Sequence, residues 1–372
     1  MHILITTDVV GGVWDFSCAL ARELQGRGHR ASLLAFGAPS AGQRQQAAAC
    51  AETLAAEDLK LEWMQGSARD VQQARALTAE TIERLRPDVL QANQFALGSA
   101  KASVPVVLTA HSDVLSWSKW TQGARPGSEW RGYEALVQEG LAGADAVVAV
   151  SHFLAGELRE LYALKREVTI IHNAWPAPAS MPAEVSRRPR VSLLAGRAWD
   201  KGKNIGLAAA AAQGWDTGRV LLAGPIRGPD DAQLAELAPP IEPLGALSQP
   251  ELQSRLAQAR VYVSPARYDP FGLLPLQAAL SGCALLLSDI PSYRELWDGA
   301  ALFFAATDAA DLRRQWQRLL DDDLLACALA GEARSRALAR YGPGHMAESY
   351  LDLYSSAARS RRAEVAQTRV AL

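Results

Sequence analysis

A short run of cations and glycines, Gly196 to Asn204, follows an apolar segment and precedes a predicted helix. It contains Arg197 and Lys203, which offer a planar guanidinium fork and a compact ammonium to oxyanions. Preorganised cations of this kind stabilise the negative charge that builds on a departing diphosphate. We therefore predict that Arg197 binds a phosphorylated ligand together with a lysine, either Lys203 or Lys201. The competing interpretation is a solvated helix start with surface cations.

The stretch from Ser264 to Glu295 carries a second set of polar residues between two apolar segments. Ser264 closes an apolar run that Pro265 ends, because proline cannot donate a hydrogen bond to a sheet ladder. A loop with Asp269 and Gly272 follows, then a short helix that stops at a glycine, then a second apolar run. Polar residues just past strand ends, at helix N-termini, are where an open α/β sheet binds phosphates and sugars.

Two smaller features follow other predicted strands. His111 lies just past the apolar run 104–109, and Asp113 either orients this histidine or caps the next helix. The glycine pair in Val10-Gly11-Gly12-Val13 follows the first strand, where glycine lets the backbone approach a ligand. Taken alone, a histidine or a glycine pair of this sort also has an ordinary structural interpretation.

Apolar and amphipathic segments alternate along both halves of the chain, which predicts an α/β protein with parallel, doubly wound sheets. Strands are predicted at 2–7, 31–36, 61–64, 87–90, 104–109, 144–150, 168–171, 191–195, 220–223, 241–244, 261–264, 284–288 and 301–303. An alanine-rich helix is predicted at 43–57, and a polar, tryptophan-rich segment follows the strand at 104–109.

Composition changes between Asn173 and Arg190, where four prolines forbid a continuous helix or a central strand. We interpret this stretch as a linker between two Rossmann-like domains, residues 1–180 and 181–344. A chain of 372 residues is long enough for two domains of ordinary size. Two such sheets without a dinucleotide fingerprint predict a binding cleft between the domains.

These segments resemble the retaining glycosyltransferases of family 4, which have the GT-B fold of two Rossmann-like domains facing across a cleft. The residues that carry the resemblance are Gly196, Arg197, Lys203, Asn204, Asp269, Pro270, Phe271, Gly272, Leu273, Gln277, Gly282, Ser288 and Asp289. The family has glutamates where Asp269 and Gln277 stand; its first glutamate contacts the donor sugar and its second holds the ribose hydroxyls. Asp269 keeps the charge on a shorter arm, and Gln277 keeps only a carbonyl acceptor.

The resemblance implies roles for individual residues. It implies that Arg197 and Lys203 bind the diphosphate and that His111 contacts the donor sugar near the reacting carbon. It also implies that a final helix, 345–372, returns to the first domain. The implied catalytic residues are His111, Arg197, Lys203 and Asp269. The implied donor-binding residues are Gly12, Arg197, Lys203, Gly224, Asp269, Phe271, Gly272, Leu273 and Gln277, and the implied acceptor-side residues are Gly11, Val13 and Asp113.

The implied activity is that of a hexosyltransferase that moves a sugar from a nucleotide-diphosphate sugar to an acceptor with retention of configuration. UDP is favoured by its frequency in the family, and the acceptor is a saccharide, a lipid or a small molecule that the sequence does not identify. Two alternatives stay open. One is an enzyme of the UDP-sugar 2-epimerase type, and the other is a sugar-nucleotide-binding protein with degenerate catalysis.

Composition limits the remaining possibilities. A formal net charge of -2 gives no reason to expect nucleic acid as a partner. The acidic runs Asp230-Asp231 and Asp321-Asp322-Asp323 fit solvated turns, so we predict no essential metal and no other cofactor. Four scattered cysteines and the lack of a signal-peptide pattern predict a cytoplasmic protein, with peripheral contact at the inner face of the membrane left open. The oligomeric state is not indicated.

Overall fold

The computed structural model describes residues 1–100, 102–227 and 240–370, with side chains as far as Arg361. The described chain falls into two compact units. The first unit comprises 1–119, 124–174 and 343–372, and the second comprises 175–342 together with 120–123. The chain therefore passes from one unit to the other within the proline-rich stretch and again at Gly342.

A parallel sheet organises the first unit. In chain order, the elements before the proline-rich stretch are β1 (His2–Asp8), α1 (Gly12–Gly26), β2 (Arg30–Phe36), α2 (Ala41–Ala48), β3 (Thr53–Glu57), α3 (Ala68–Leu85), β4 (Val89–Ala92), β5 (Val106–Ala110), α4 (Val114–Gln122), α5 (Arg131–Gly143), β6 (Ala146–Ala149), α6 (His152–Leu161) and β7 (Thr169–Ile170). The seven strands lie in the order β3-β2-β1-β4-β5-β6-β7, and every pairing is parallel. Every residue of β1 is buried, as expected for a central strand covered on both faces.

The third strand lies where the sequence analysis predicts the end of a helix. The alanine-rich run continues as helix only to Ala48, and Thr53–Glu57 instead pairs in parallel with β2. Alanine has a low intrinsic propensity for strands, but the parallel pairing of Thr53–Glu57 with β2 outweighs it. The prediction of a strand at 61–64 was wrong, since those residues form a turn. The polar, tryptophan-rich segment, for which no element was predicted, contains α4 and the start of α5.

A second parallel sheet organises the second unit. Its elements are β8 (Val191–Ala195), α7 (Ile205–Ala211), β9 (Arg219–Ala223), β10 (Ile241–Gly245), α8 (Gln249–Gln258), β11 (Val261–Ser264), α9 (Leu273–Leu280), β12 (Ala284–Ser288), α10 (Pro291–Trp297), β13 (Leu302–Phe304), α11 (Ala309–Asp321) and α12 (Asp323–Arg340). The six strands lie in the order β10-β9-β8-β11-β12-β13. The predicted apolar strands of this half are confirmed within one or two residues at each end.

Both sheets reverse their winding beside their first strand, between β1 and β4 and between β8 and β11. In open parallel sheets, ligands bind at such reversal points, outside the carboxyl ends of the strands. The loops that the sequence analysis singled out follow β1, β5, β8 and β11. They therefore lie at or next to the two reversal points.

The last helix, α13 (Pro343–Val370), belongs to the first unit. Its buried residues Met346, Ala347, Tyr350 and Tyr354 join the core formed by β1, β2 and α1. The last helix, α13, and the first strand, β1, thus pack in the same hydrophobic core.

Within the described parts of the chain, no helix is both long enough and apolar enough to cross a membrane.

Candidate functional site

The predicted residues divide between the two units. The second unit contains the cationic loop after β8 and the loop that joins β11 to α9. The first unit contains the glycine turn after β1 and His111 after β5.

The loop after β8 holds Arg197 in a defined position. Arg197 Nη2 lies 2.9 Å from a carboxylate oxygen of Asp200, and the other oxygen of Asp200 accepts a 2.8 Å hydrogen bond from the backbone of Gly202. The guanidinium carbon lies 5.3 Å from the centre of the Trp199 ring, close enough for a cation–π contact. The Arg197 side chain is 38% exposed. It is therefore oriented by protein groups and still accessible to an anionic ligand.

Lys203 forms an ion pair with the residue at the family's first acidic position. Its Nζ lies 2.9 Å from Asp269 Oδ2, which also accepts a 3.1 Å hydrogen bond from the Tyr293 hydroxyl. Burial raises the pKa of Tyr293 well above its ordinary value, so the phenol remains a neutral donor at pH 7. The two loops of the second unit are thus joined through Lys203 and Asp269. Lys201, the alternative lysine, is exposed.

Asn204 anchors this cationic loop, a role that the sequence analysis did not assign. The residue has a left-handed backbone, and its Nδ2 donates to the carbonyls of Pro265 at 2.9 Å and Ala306 at 3.1 Å. These acceptors follow β11 and β13. The asparagine after Lys203 therefore connects the lysine's loop to two neighbouring strand ends, and its place directly after the lysine was the available signal.

Two glycines bring the ends of β8 and β9 into close contact. A Cβ atom on Gly224, whose φ is +129°, would lie 2.0 Å from the carbonyl oxygen of Gly196. The backbone N–H of Gly224 donates to Gly245 at the end of β10, at 2.7 Å. Gly224 is thus required by backbone packing beside the cationic loop.

The start of α9 is built on Gly272, which has a φ of +81°. Phe271, predicted to bind the donor, is buried, and its ring packs edge-on against Tyr341 at a centroid distance of 5.5 Å. Leu273 is half-buried in the first turn. Phe271 therefore packs in the core of the second unit, and its part in donor binding stays a prediction.

Gln277 lies one turn further along α9 and is 3% exposed. Its Oε1 is buried and has no hydrogen-bond partner among the described residues. A buried carbonyl oxygen without a donor costs free energy, so this atom is suited to accept from a ligand hydroxyl.

The glycine turn of the first unit begins α1. Gly11 has a φ of +88° and precedes the helix, and Gly11 and Gly12 are exposed. The carbonyl of Val13 accepts hydrogen bonds from Ser17 Oγ at 2.8 Å and Thr7 Oγ1 at 3.4 Å. The turn therefore presents backbone groups at the reversal point of the first sheet.

His111 is held at the end of β5. Its Nε2 lies 3.0 Å from Asn93 Oδ1, and its ring packs edge-on against Phe16 with centroids 4.6 Å apart. Burial lowers the pKa of His111 to about 3, so the imidazole is neutral at pH 7. A neutral ring can contact a hydroxyl without adding charge.

Asp113 is a buried structural group. Its carboxylate accepts from the backbone N–H of Ser116 at 2.8 Å, from the Ser116 hydroxyl, and from the Tyr162 hydroxyl at 2.8 Å. Desolvation raises the pKa of the Asp113 carboxyl. Of the two roles open in the sequence, capping of α4 is the one that these contacts support.

The acidic runs do not form a metal site in the part of the chain that the structure describes, where no cluster of three or more His, Cys, Asp or Glu side chains occurs. Asp322 caps α12 by accepting from Leu325 N at 2.9 Å. Asp230-Asp231 lies outside the described residues.

The comparisons with known proteins identify sequence relatives of both halves of the chain. A sequence model described as glycosyltransferase family 4 matches residues 10–175, and one described as glycosyl transferases group 1 matches residues 189–322. The chain is 28% identical to a glycogen synthase of Mycobacterium tuberculosis over 311 residues, 74% of this chain and 70% of that protein. It is also 28% identical to an alpha-maltose-1-phosphate synthase of Mycolicibacterium smegmatis, over 69% of this chain and 74% of that protein.

Solved structures show the same fold. The sucrose-phosphate synthase of Thermosynechococcus elongatus superposes with a TM-score of 0.79 at 17% identity, over 96% of this chain and 99% of that one. The Anabaena protein HepE, solved in complex with UDP and glucose, superposes with a TM-score of 0.72 at 19% identity, over 96% and 100% of the two chains. These likenesses confirm the predicted fold class.

Proposed function

The chain belongs to glycosyltransferase family 4 and is a hexosyltransferase, and on that premise we propose that it transfers a sugar from a UDP-sugar to an acceptor hydroxyl with retention of configuration. The observation that carries the proposal is the pair of cations at the reversal point of the second sheet. Arg197 and Lys203 are each oriented by one carboxylate, at 2.9 Å, and each remains partly exposed.

Diphosphate binding follows from the donor capacity of these two side chains. Arg197 uses one N–H on Asp200 and has further N–H groups for phosphate oxygens. Lys203 has three N–H donors and uses one on Asp269. Charge-assisted contacts of this kind strengthen as negative charge develops on the leaving diphosphate, and they therefore lower the barrier to transfer.

The ribose of the donor would be held by Gln277. Its buried Oε1 has no partner among the described residues, and a ribose hydroxyl would supply the missing donor. UDP is the proposed nucleotide because the HepE structures contain UDP and UDP-glucose and share this fold. The sugar and the acceptor are not specified by any contact in this chain.

The proposed transfer takes place on one face of the sugar. The bond from the anomeric carbon to the β-phosphate oxygen breaks, and a bond to the acceptor oxygen forms on the same face. The acceptor's proton passes to the departing phosphate oxygen, so no protein base is required. Arg197 and Lys203 neutralise the diphosphate, and neutral His111 contacts the sugar.

The four unbonded cysteines support our proposal of a reducing, cytoplasmic compartment.

The test begins with a thermal-shift screen of UDP-, GDP-, ADP- and dTDP-sugars, because a ligand bound only by the folded state raises the melting temperature. The stabilising donor is then incubated with saccharide, lipid and small-molecule acceptors, and the anomeric configuration of the product is read by NMR. We expect a UDP-sugar to stabilise the protein and the product to retain configuration. Donor binding without transfer to any acceptor would favour a degenerate binding protein, and epimerised sugar with free UDP would favour the epimerase alternative.

Two matched variants separate the cations. Arg197→Ala should lower kcat by about 100-fold or more, since it removes a charge-assisted contact to the leaving group. Exposed Lys201→Ala should leave kcat nearly unchanged. The rate should also persist in EDTA, because the two side chains supply the positive charge. Near-normal turnover by Arg197→Ala would refute its assigned role.

A further inference from the structure

A chain of side-chain hydrogen bonds runs from α13, where it is fully buried, to His111 within the first unit. The Tyr354 hydroxyl donates to Gln91 Oε1 at 2.9 Å. Gln91 Nε2 lies 2.9 Å from Thr109 Oγ1 and 3.2 Å from Asn93 Oδ1. Asn93 Oδ1 in turn lies 3.0 Å from His111 Nε2. Tyr354, Gln91 and Thr109 are each no more than 1% exposed, so water does not compete with the hydrogen bonds among these three residues.

The orientation of the Asn93 amide is set by a group that can only accept. Asn93 Nδ2 donates to the backbone carbonyl of Thr6 at 2.7 Å. The backbone N–H of Asn93 also donates to Thr6 Oγ1 at 3.2 Å, which fixes the main chain of the same residue. The atom that faces His111 is therefore the amide oxygen, which carries no proton.

The donor in the last bond of the chain must then be the imidazole. Because Asn93 Oδ1 only accepts, His111 Nε2 carries the hydrogen. A neutral imidazole has one N–H, so Nδ1 keeps a free lone pair. Within the part of the chain that the structure describes, Nδ1 has no hydrogen-bond partner, and the ring is only partly buried.

We propose that Asn93 is a positioning residue that holds His111 as the Nε2–H tautomer, so that Nδ1 accepts a hydrogen bond from a hydroxyl of the donor sugar. The identification of the sugar as the partner rests on the proposed function, whereas the tautomer rests only on the contacts above. Tyr354 acts indirectly, through Gln91. Its hydroxyl donates to Gln91 Oε1, which orients the Gln91 amide so that Nε2 donates to Asn93.

The neutral state of His111 agrees with its surroundings. Burial alone lowers the pKa of His111 to about 3, and no charged side chain of the described residues contributes to this shift. The imidazole contacts the ring of Phe16 from α1 and the amide of Asn93 after β4, and neither group is charged. A carboxylate placed at position 93 would be the first anion beside the ring.

The test uses Asn93→Asp, which is nearly isosteric and keeps an oxygen toward Nε2. It loses the hydrogen bond from Nδ2 to the Thr6 carbonyl, so the pH dependence of kcat/KM within the variant is the readout. The new carboxylate should raise the pKa of His111 by stabilising the imidazolium. At alkaline pH the ring remains neutral with Nδ1 free, and kcat/KM of the variant for the sugar nucleotide should be at its highest. As pH falls through the raised pKa, Nδ1 gains a proton and kcat/KM should fall about tenfold, while the wild type changes little. Asn93→Ala, which removes the restraint, should lose kcat/KM at every pH.

The second readout is the ¹⁵N spectrum of His111 in the wild type, identified by its absence in His111→Gln. We expect the Nε2–H tautomer throughout the neutral range, and a higher pKa in Asn93→Asp. An Nδ1–H tautomer in the wild type, or an activity loss in Asn93→Asp that is the same at every pH, would overturn the inference. A wild type that transfers no sugar would count against the proposed function instead, and the tautomer measurement does not depend on that outcome.

Discussion

The ammonium of Lys203 lies 2.9 Å from the carboxylate of Asp269, at the reversal point of the second sheet. The Lys203 side chain is 22% exposed and the Asp269 side chain 13%, so solvent screens the pair only in part. Asp269 thus holds the lysine that we propose binds the diphosphate. A bound diphosphate would share this lysine with Asp269.

The pair predicts opposite effects of one substitution on binding and on transfer. Asp269→Asn removes the negative charge beside Lys203, and UDP affinity should therefore rise several-fold. Sugar transfer should fall about tenfold or more, because the contact that we propose between Asp269 and the donor sugar would lose its charge. Calorimetry with UDP and initial-rate kinetics measure the two effects. Asp269→Glu, which keeps the charge, is the control, and an unchanged UDP affinity in Asp269→Asn would count against a shared lysine.

Gln277 offers a test of the ribose contact. Gln277→Leu removes a buried oxygen that has no partner, so the melting temperature should hold or rise. The same change should weaken UDP binding by about tenfold, since the ribose hydroxyls lose their acceptor. Gln277→Glu should bind UDP more tightly than wild type, because a charged acceptor makes a stronger hydrogen bond. Equal UDP affinities in all three proteins would exclude Gln277 from the nucleotide site.

Gly224 is predicted to be intolerant of even one added methyl group. The Cβ of Gly224→Ala would lie 2.0 Å from the carbonyl oxygen of Gly196, so β8 and β9 would have to separate beside the cationic loop. We expect the variant to lose stability by about 2 kcal/mol or more and to lose UDP binding with it. Gly206→Ala in α7 is the control, because its Cβ meets nothing within 4 Å and alanine favours the helix. Urea unfolding measures the stability of both variants. Equal stabilities would contradict the close contact between Gly224 and the Gly196 carbonyl.

Acid should destabilise the first unit through His111. Its folded-state pKa of about 3 lies below the ordinary value of 6.5, so between these values the unfolded chain binds a proton that the folded chain does not. The free energy of unfolding should therefore have its full value above pH 6.5 and should decrease as the pH falls toward 3. At pH 5 the loss is about 1–2 kcal/mol for a partly buried ring. Urea unfolding at pH 7 and pH 5 should show a smaller loss in His111→Gln than in wild type, and identical losses would contradict the assignment.

Sequence pattern predicted the framework because each buried parallel strand is a short apolar run. The runs at Val261–Ser264 and Ala284–Ser288 have the bounds that the sequence predicted. The edge strand Thr53–Glu57 escaped prediction, since its formation depends on pairing with β2 and not on its own composition. An edge strand with little burial leaves no strong local pattern.

The partners of the site residues could not be predicted in the same way. Asn93 and His111 are 18 residues apart, and Tyr354 lies 263 residues after Gln91, so only the fold brings these side chains together. Phe271 has the family's residue type, but its burial against Tyr341 becomes evident only from the packed structure. Sequence spacing located the loops, and three-dimensional packing determined which atoms in them are available.

The most direct test of the central claim is to compare the binding of UDP and uridine by isothermal titration calorimetry, in wild type and in the double variant Arg197→Ala/Lys203→Ala. Two charge-assisted contacts of about 1.5 kcal/mol each predict that wild type prefers UDP by about 100-fold. The double variant should lose most of that preference while it binds uridine as wild type does. A double variant that still prefers UDP over uridine by the wild-type factor would contradict the claim that these two side chains bind the diphosphate.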